Sequence, residues 1–463
     1  MNRVLQGLVA VLLVTGLGGD AAARALETEL MPVTEGSTPF FASAVDLAPY
    51  GFVEEEYRVR GEGDIYEYSP GGSLVLQQAD VPYETRMLVR KPTPGRFNGV
   101  VVLEMLNPTA GFDIDFEWQF NRELLLSDGY AWVGLTIKPL AVDYLRGWRG
   151  GVRYATLDLP DTGLGYSVMG QVGSLLKDAT AADNPLAGYA VETLIGTGYS
   201  QSSDWLTTFG NEFHDVTLAP DGSHAFDGYL AMGGNCAAHA INNDDEGLLY
   251  VDGRRLNSVN APVVRVHSET EVEIFFFPAV GCRQPDSDVY RHYEVAGASH
   301  ADREILERTG EVIARDVGGS ILPPCQNPLS PMSISPMHRA SLANLVSWIE
   351  DGVAPPPGVL IDVDGSGAVL RDAFGNALGG VRLPTLDVPL GQFQPRNFGP
   401  GPCVPGGSYF EFDEATLDGL YPHHGPYVSK VTKSANRNAK DRFLLHDDAV
   451  AYIVEAAHSE VGH

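Results

Sequence analysis

The chain has 463 residues, 44% of them hydrophobic and 20% charged, a globular composition that excludes disordered and fibrous classes. A formal net charge of −29 and a pI near 4.6 speak against a nucleic-acid partner, because phosphate binding needs a basic surface. The same charge gives no basis for docking on an anionic membrane and keeps an exported protein soluble.

The first residues, MNRVLQGLVAVLLVTGLGGDAAARA, join a positive start at Arg3 to an apolar stretch from Val4 to Leu17 and A-x-A patterns ending at Ala23 and Ala25. This is the pattern of a signal peptide over residues 1–25, removed on export to the periplasm or medium. The apolar stretch is short for a membrane span, and no other run is long enough, so no stable membrane association is expected after its removal.

From there strand-like and helix-like segments alternate. TRMLVRKP and NGVVVLEML are β-branched apolar runs, and FEWQFNRELLLSDGY has helical periodicity and ends in glycine. AWVGLTI reads as a buried strand, GYSVMGQVGSLLKDAT as a helix, YAVETLIGTG as a strand and SSDWLTTFGNEF as the helix leaving it. AFDGYLAMGG, APVVRVHS and YRHYEVAG are further strands, and HRASLANLVSWIEDG is a helix. The alternation predicts an α/β fold with a mainly parallel, twisted sheet flanked by helices. Residues 237–260 lie between two strands and read as an insertion over the sheet edge. Beyond Pro355 the texture becomes turn-rich, with hairpin signals at DGSG and FGNALGG. The expected organisation is therefore a main α/β domain over 26–355 and a C-terminal extension, 356–463, packed on it.

Export makes the four cysteines candidates for disulfides. Cys325 and Cys403 both lie in proline-rich loops where a staple would be useful, which leaves Cys236 and Cys282 to pair. Four cysteines allow three pairings, and the spacing does not choose among them. No Cys-x-x-Cys or His-x-x-x-His spacing is present, and no residue is assigned to a metal.

The stretch LIGTGYSQSS, Leu194 to Ser203, approaches the G-x-S-x-G strand-to-helix turn that exposes a nucleophilic serine, with Ser202 in place of the second glycine. A serine hydroxyl needs a base within reach and an acid to orient that base. Where the chain order is serine, acid, histidine, each follows a strand. Downstream of Ser200, APVVRVHS leads into Glu269 and Glu271, and YRHYEVAGASHAD ends at His300. A turn common after such a strand, H-G-x-x-D, laid over HSETE places Glu271 at the acid position, with Glu269 as the alternative. The backbone N–H of Gln201 is one oxyanion donor, at a helix N-terminus whose dipole adds to the effect. The second is expected near Asn107 in LEMLNPTAGFD, where Pro108 has no N–H to give. Asn107 reads equally as a turn residue.

Together VVVLEMLNPTAG, GYAWVGLT, GTGYSQSS, VHSETEV, CRQPDSDVYRHYEVAGASHAD, SWIEDGVAPPP and FGNALGGVRLP resemble the α/β-hydrolase superfamily. More narrowly, they resemble the branch called alpha/beta hydrolase domain-containing protein. The resemblance covers roughly residues 80 to 390 and implies Ser200 as nucleophile, Glu271 as acid and His300 as base, acting on a carboxylic ester. It departs at Glu271, where aspartate is more usual. No cofactor is called for, and the partner is a small-molecule ester. Amidase or acyltransferase chemistry on the same triad, or a non-catalytic binding protein on the same fold, are the alternatives.

The other histidines, including His214, His239, His267, His292, His423 and His424, read as surface or structural. Trp205 and Phe209 read as core. The DVDGSG segment from Asp362 resembles the start of a calcium loop, but its twelfth position is Ala373, and a glycine-rich hairpin turn is expected.

Overall fold

Among the described residues one nine-stranded sheet forms, and the apolar runs of the first 300 residues supply its parallel strands. A computed structural model describes residues 26–34, 36–245, 257–274, 278–320, 322 and 324–463. The expected signal peptide and residues 246–256 of the expected insertion lie outside the described residues. The strands are β1 (Glu27–Leu30), β2 (Phe52–Tyr68), β3 (Leu74–Pro92), β4 (Val100–Met105), β5 (Ala131–Leu135), β6 (Thr193–Tyr199), β7 (Gly228–Met232), β8 (Val263–Ser268) and β9 (Tyr290–Val295). Their order is β1-β2-β3-β5-β4-β6-β7-β8-β9. The pairs from β1 to β5 are antiparallel, and those from β5 through β4 to β9 are parallel.

Parallel strands covered on both faces read as continuous apolar runs rather than alternating ones. In β4 every position is buried; Val101 and Leu103 enter one core and Val100 and Val102 the other. The first core packs under α3 (Leu164–Lys177) and α4 (Gln201–Phe213), the second under α1 (Phe116–Asp128), α6 (Arg303–Asp316) and α7 (Ser335–Asp351). Short helices α2 (Pro139–Gly147) and α5 (Glu269–Glu273) follow β5 and β8.

Residues 237–245 of the expected insertion reach β2 and α3. Asn242 donates to the Tyr66 carbonyl on β2 (2.6 Å) and Tyr166 to the Ala240 carbonyl (2.9 Å). The extension begins as expected with tight turns. In DGSG the Asp364 carboxylate accepts from the N–H groups of Ser366 and Ala368 and from the Ser366 hydroxyl, so this carboxylate is spent on the hairpin turn. It ends differently: after α8 (Pro384–Asp387) and the hairpin β10 (Gly391–Gln394)–β11 (Ser408–Glu411) come α9 (Glu414–Leu420), α10 (His424–Lys440) and α11 (His446–Ala457). Val359 and Val381 bridge to Tyr293 and Val295, which covers the open edge of β9.

Cys236 pairs with Cys282 and Cys325 with Cys403, at Cα separations of 5.6 and 5.3 Å. Among the described residues no helix is long and apolar enough to cross a membrane.

Candidate active site

Parallel strands align their carboxyl ends along one edge of a sheet, and Ser200, Glu271 and His300 follow β6, β8 and β9 at that edge. Ser200 joins β6 directly to α4 with φ 58° and ψ −126°. A serine held at positive φ is strained, and the surroundings have to enforce it. Its N–H donates to the Met232 carbonyl (2.9 Å), and its carbonyl accepts from the Ser203 N–H (2.9 Å). The helix comes very close to the strand here: a Cβ on Gly198 would lie 2.6 Å from the Ser202 carbonyl oxygen. Ser202, where the motif has glycine, is small enough for this approach, and its hydroxyl donates to the Leu106 carbonyl at the end of β4 (3.1 Å).

Glu271 and His300 are in direct contact. His300 Nδ1 lies 2.5 Å from Glu271 Oε1, with both side chains buried. A carboxylate partner requires the proton on Nδ1, which leaves Nε2 with its lone pair. The second oxygen of Glu271 accepts the Ser268 N–H in the capping box of α5, so the backbone fixes the carboxylate before it meets the imidazole. Glu269 points elsewhere. Its oxygens accept from the Gly297 N–H (2.7 Å) and the Arg371 guanidinium (2.7 Å), and burial raises its pKa despite Arg371.

Tyr199 links the serine to the histidine. Its ring stacks on that of His300 with centroids 4.8 Å apart. Its hydroxyl donates to the His300 carbonyl and lies 3.4 Å from Nδ1. The histidine turn is held from outside the main sheet as well. The His300 N–H donates to Thr270 Oγ1 (3.1 Å), whose hydroxyl donates to the Pro395 carbonyl (2.9 Å), and the Ala301 N–H donates to the Pro405 carbonyl (2.9 Å). The extension thus braces the loop carrying His300.

The expected oxyanion donors fare differently. Gln201 is the first residue of α4, so its N–H belongs to the set a helix leaves without an intrahelical partner. The Asn107 N–H instead donates to the Ile114 carbonyl (3.0 Å), because the loop after β4 closes on itself through an Asn107–Ile114 bridge. The Asn107 side chain donates to the Tyr199 carbonyl (2.7 Å); it steadies the elbow. Buried Arg86–Asp113 and Arg90–Asp115 pairs hold the same loop from β3.

Two residues absent from the expectations stand beside the site. Tyr199 had a signal, its place immediately before the serine. Lys138, in TIKP just past β5, is buried, donates to Gln201 Oε1 and Ser202 Oγ (both 3.3 Å) and sits 4.7 Å from the Trp205 ring. Burial pulls its ammonium down to about 7.

The model of the alpha/beta hydrolase domain family matches residues 26–454. The chain belongs to this family. Solved structures similar to this α/β hydrolase include an esterase (13% identity, covering 41% of this chain and 46% of that chain, TM-score 0.26). An esterase from Pyrobaculum calidifontis (13%, 44% and 66%, 0.25) and the esterase domain of a Rhodothermus marinus protein (11%, 50% and 85%, 0.25) also match. The first of these is matched over less than half of its own length. No curated protein matches.

Proposed function

We propose that this α/β hydrolase is an exported serine esterase that cleaves a small carboxylic ester through an acyl-enzyme. The reading rests on one observation above all: a buried 2.5 Å Glu271–His300 pair stacked on the residue that precedes a serine held at positive φ. Ser200 Oγ attacks the ester carbonyl while His300 Nε2 takes its proton, and Glu271 stabilises the imidazolium that forms. The Gln201 N–H, at the N-terminus of α4, faces the charge developing on the carbonyl oxygen. His300 then protonates the departing alcohol, and water activated by the same nitrogen releases the acid. Residues 26–355 carry this chemistry and 356–463 support it through Pro395 and Pro405. Two disulfides favour an oxidising compartment, in keeping with the N-terminal signal pattern.

The test is covalent labelling of the folded protein with a fluorophosphonate, followed by peptide mapping. Labelling at Ser200 that disappears in Ser200→Ala and His300→Ala is expected. A folded wild-type protein that takes no label would refute the enzyme and favour a binding protein on this fold. Turnover of nitrophenyl esters, set against the matching anilides, separates esterase from amidase.

A further inference from the structure

Among the described residues, one cluster outside the triad has the composition of a metal centre: His214, Asp215 and His224. Each offers one ligand atom, and the three atoms lie within 4.8 Å of one another. His214 and Asp215 form the turn that follows α4. His224 lies in the loop before β7 and is tied back by a bridge to Leu218. The sequence alone does not separate these histidines from ordinary surface ones, since no familiar ligand spacing connects them.

The distinguishing feature is the state of His214. It is 2% exposed, and its Nδ1 lies 2.9 Å from the Tyr229 hydroxyl on β7. Its Nε2 is buried with no hydrogen-bond partner. A buried polar atom without a partner is costly, and nothing in the core requires one here. The His224 ring covers this imidazole at a centroid separation of 4.1 Å, and His224 Nε2 lies 3.5 Å from Asp215 Oδ1. When His214 donates its Nδ1 proton to Tyr229, Nε2 keeps its lone pair. This is the way a metal-binding imidazole is oriented by a hydrogen bond from its other nitrogen.

We propose that His214, Asp215 and His224 bind one divalent transition-metal ion of the zinc class, with His214 Nε2 as the buried anchor. Two imidazoles and one carboxylate suit zinc, cobalt or nickel and not calcium or magnesium, which prefer all-oxygen sites. Tetrahedral ligands on zinc are about 3.3 Å apart, closer than the 4.8 Å bound here. Asp215 and His224 are 86% and 46% exposed along their side chains and can close on the ion by rotation, with water as the fourth ligand. The site is at the opposite end of α4 from Ser200. Thirteen helical residues at ~1.5 Å each put it about 20 Å from the nucleophile. The ion therefore clamps the end of α4 to the loop entering β7 and takes no part in ester cleavage.

Untagged protein stripped with a chelator and desalted is titrated with zinc by calorimetry and with cobalt by visible absorption. One ion per chain, the intense bands of tetrahedral cobalt and a raised melting temperature with zinc are expected. His224→Ala and Asp215→Asn should each weaken binding by about ten-fold or more and abolish the melting shift. Fluorophosphonate labelling at Ser200 should be unchanged in both, so this result is independent of the esterase reading. Wild-type protein that binds no zinc, or variants that bind it as wild type does, would overturn the site.

Discussion

Glu271→Gln separates the two candidate acids by chemistry. The charges of Glu271 and an imidazolium at His300 would be centred about 4 Å apart, given the 2.5 Å contact. At an effective dielectric near 20 their attraction is about 4 kcal/mol. This attraction exists only once the imidazole has taken the proton from serine, so it acts on the transition state alone. Losing it costs about three decades in kcat. A glutamine amide facing Nδ1 also favours the wrong tautomer, which brings the expected loss to about 10³–10⁴-fold. KM should change little, and the fold should survive, because glutamine still satisfies the capping box of α5. Glu269→Gln is the control. It removes the ion pair to Arg371 while keeping an acceptor for the Gly297 N–H, so about 1–2 kcal/mol of stability is lost and kcat falls by less than about ten-fold. Steady-state hydrolysis of a nitrophenyl ester, paired with urea unfolding, measures both effects. A larger kcat loss from Glu269→Gln than from Glu271→Gln would refute the assignment of the acid.

Gly198→Ala places a methyl group 2.6 Å from the Ser202 carbonyl oxygen, a backbone atom that cannot step aside. About 2–3 kcal/mol of stability should be lost in urea unfolding, with slower labelling of Ser200 as the elbow shifts. Glu117, beneath the site in α1, is buried, and burial pushes its carboxyl up to about 8. Between about pH 4.5 and 8 the folded state binds more protons at this group than the unfolded chain, so its contribution to stability falls as pH rises through that window. Glu117→Gln should therefore leave stability at pH 5 nearly unchanged and raise it by about 1–3 kcal/mol at pH 9. Equal effects at both pH values would show that the carboxyl is not perturbed.

The parallel half of the fold was legible because burial on both faces writes itself as unbroken apolar runs. NGVVVLEML, AWVGLTI and APVVRVHS each contain the strand that forms there. β2 was not legible, since most positions of FVEEEYRVRGEGDIYEY are only half-buried and its charged residues hide the period. The helices α10 and α11 were missed for a related reason: they follow a glycine- and proline-rich stretch whose turn signals dominated the reading. For the candidate site, chain order pointed to three residues that the fold carries to one edge of the sheet, and of the two glutamates weighed it is Glu271 that meets His300 while Glu269 turns to Gly297 and Arg371. Asn107 could not be judged from sequence, because its N–H is taken by Ile114, a partner defined only by how the loop closes.

Tyr199 shows why a short motif carries so much. It is fully buried and packs on Phe120 at 4.8 Å and Phe116 at 5.1 Å, so the α1 core fixes its ring. The same ring stacks on His300, and its hydroxyl is bonded to the His300 carbonyl. Core packing against α1 is thereby transmitted to the imidazole through a single side chain adjacent to Ser200. The strain at Ser200 has a matching support: Asn107 holds the Tyr199 carbonyl, the Met232 carbonyl holds the Ser200 N–H, and Ser202 ties α4 to β4. Two of these bonds reach the elbow from the end of β4 and one from the end of β7. A positive φ at a serine persists only where several independent contacts oppose its relaxation, and here they come from β4, β7 and α4 at once. The geometry that orients the histidine and the geometry that strains the serine thus share one residue, so the core beneath the candidate site fixes both.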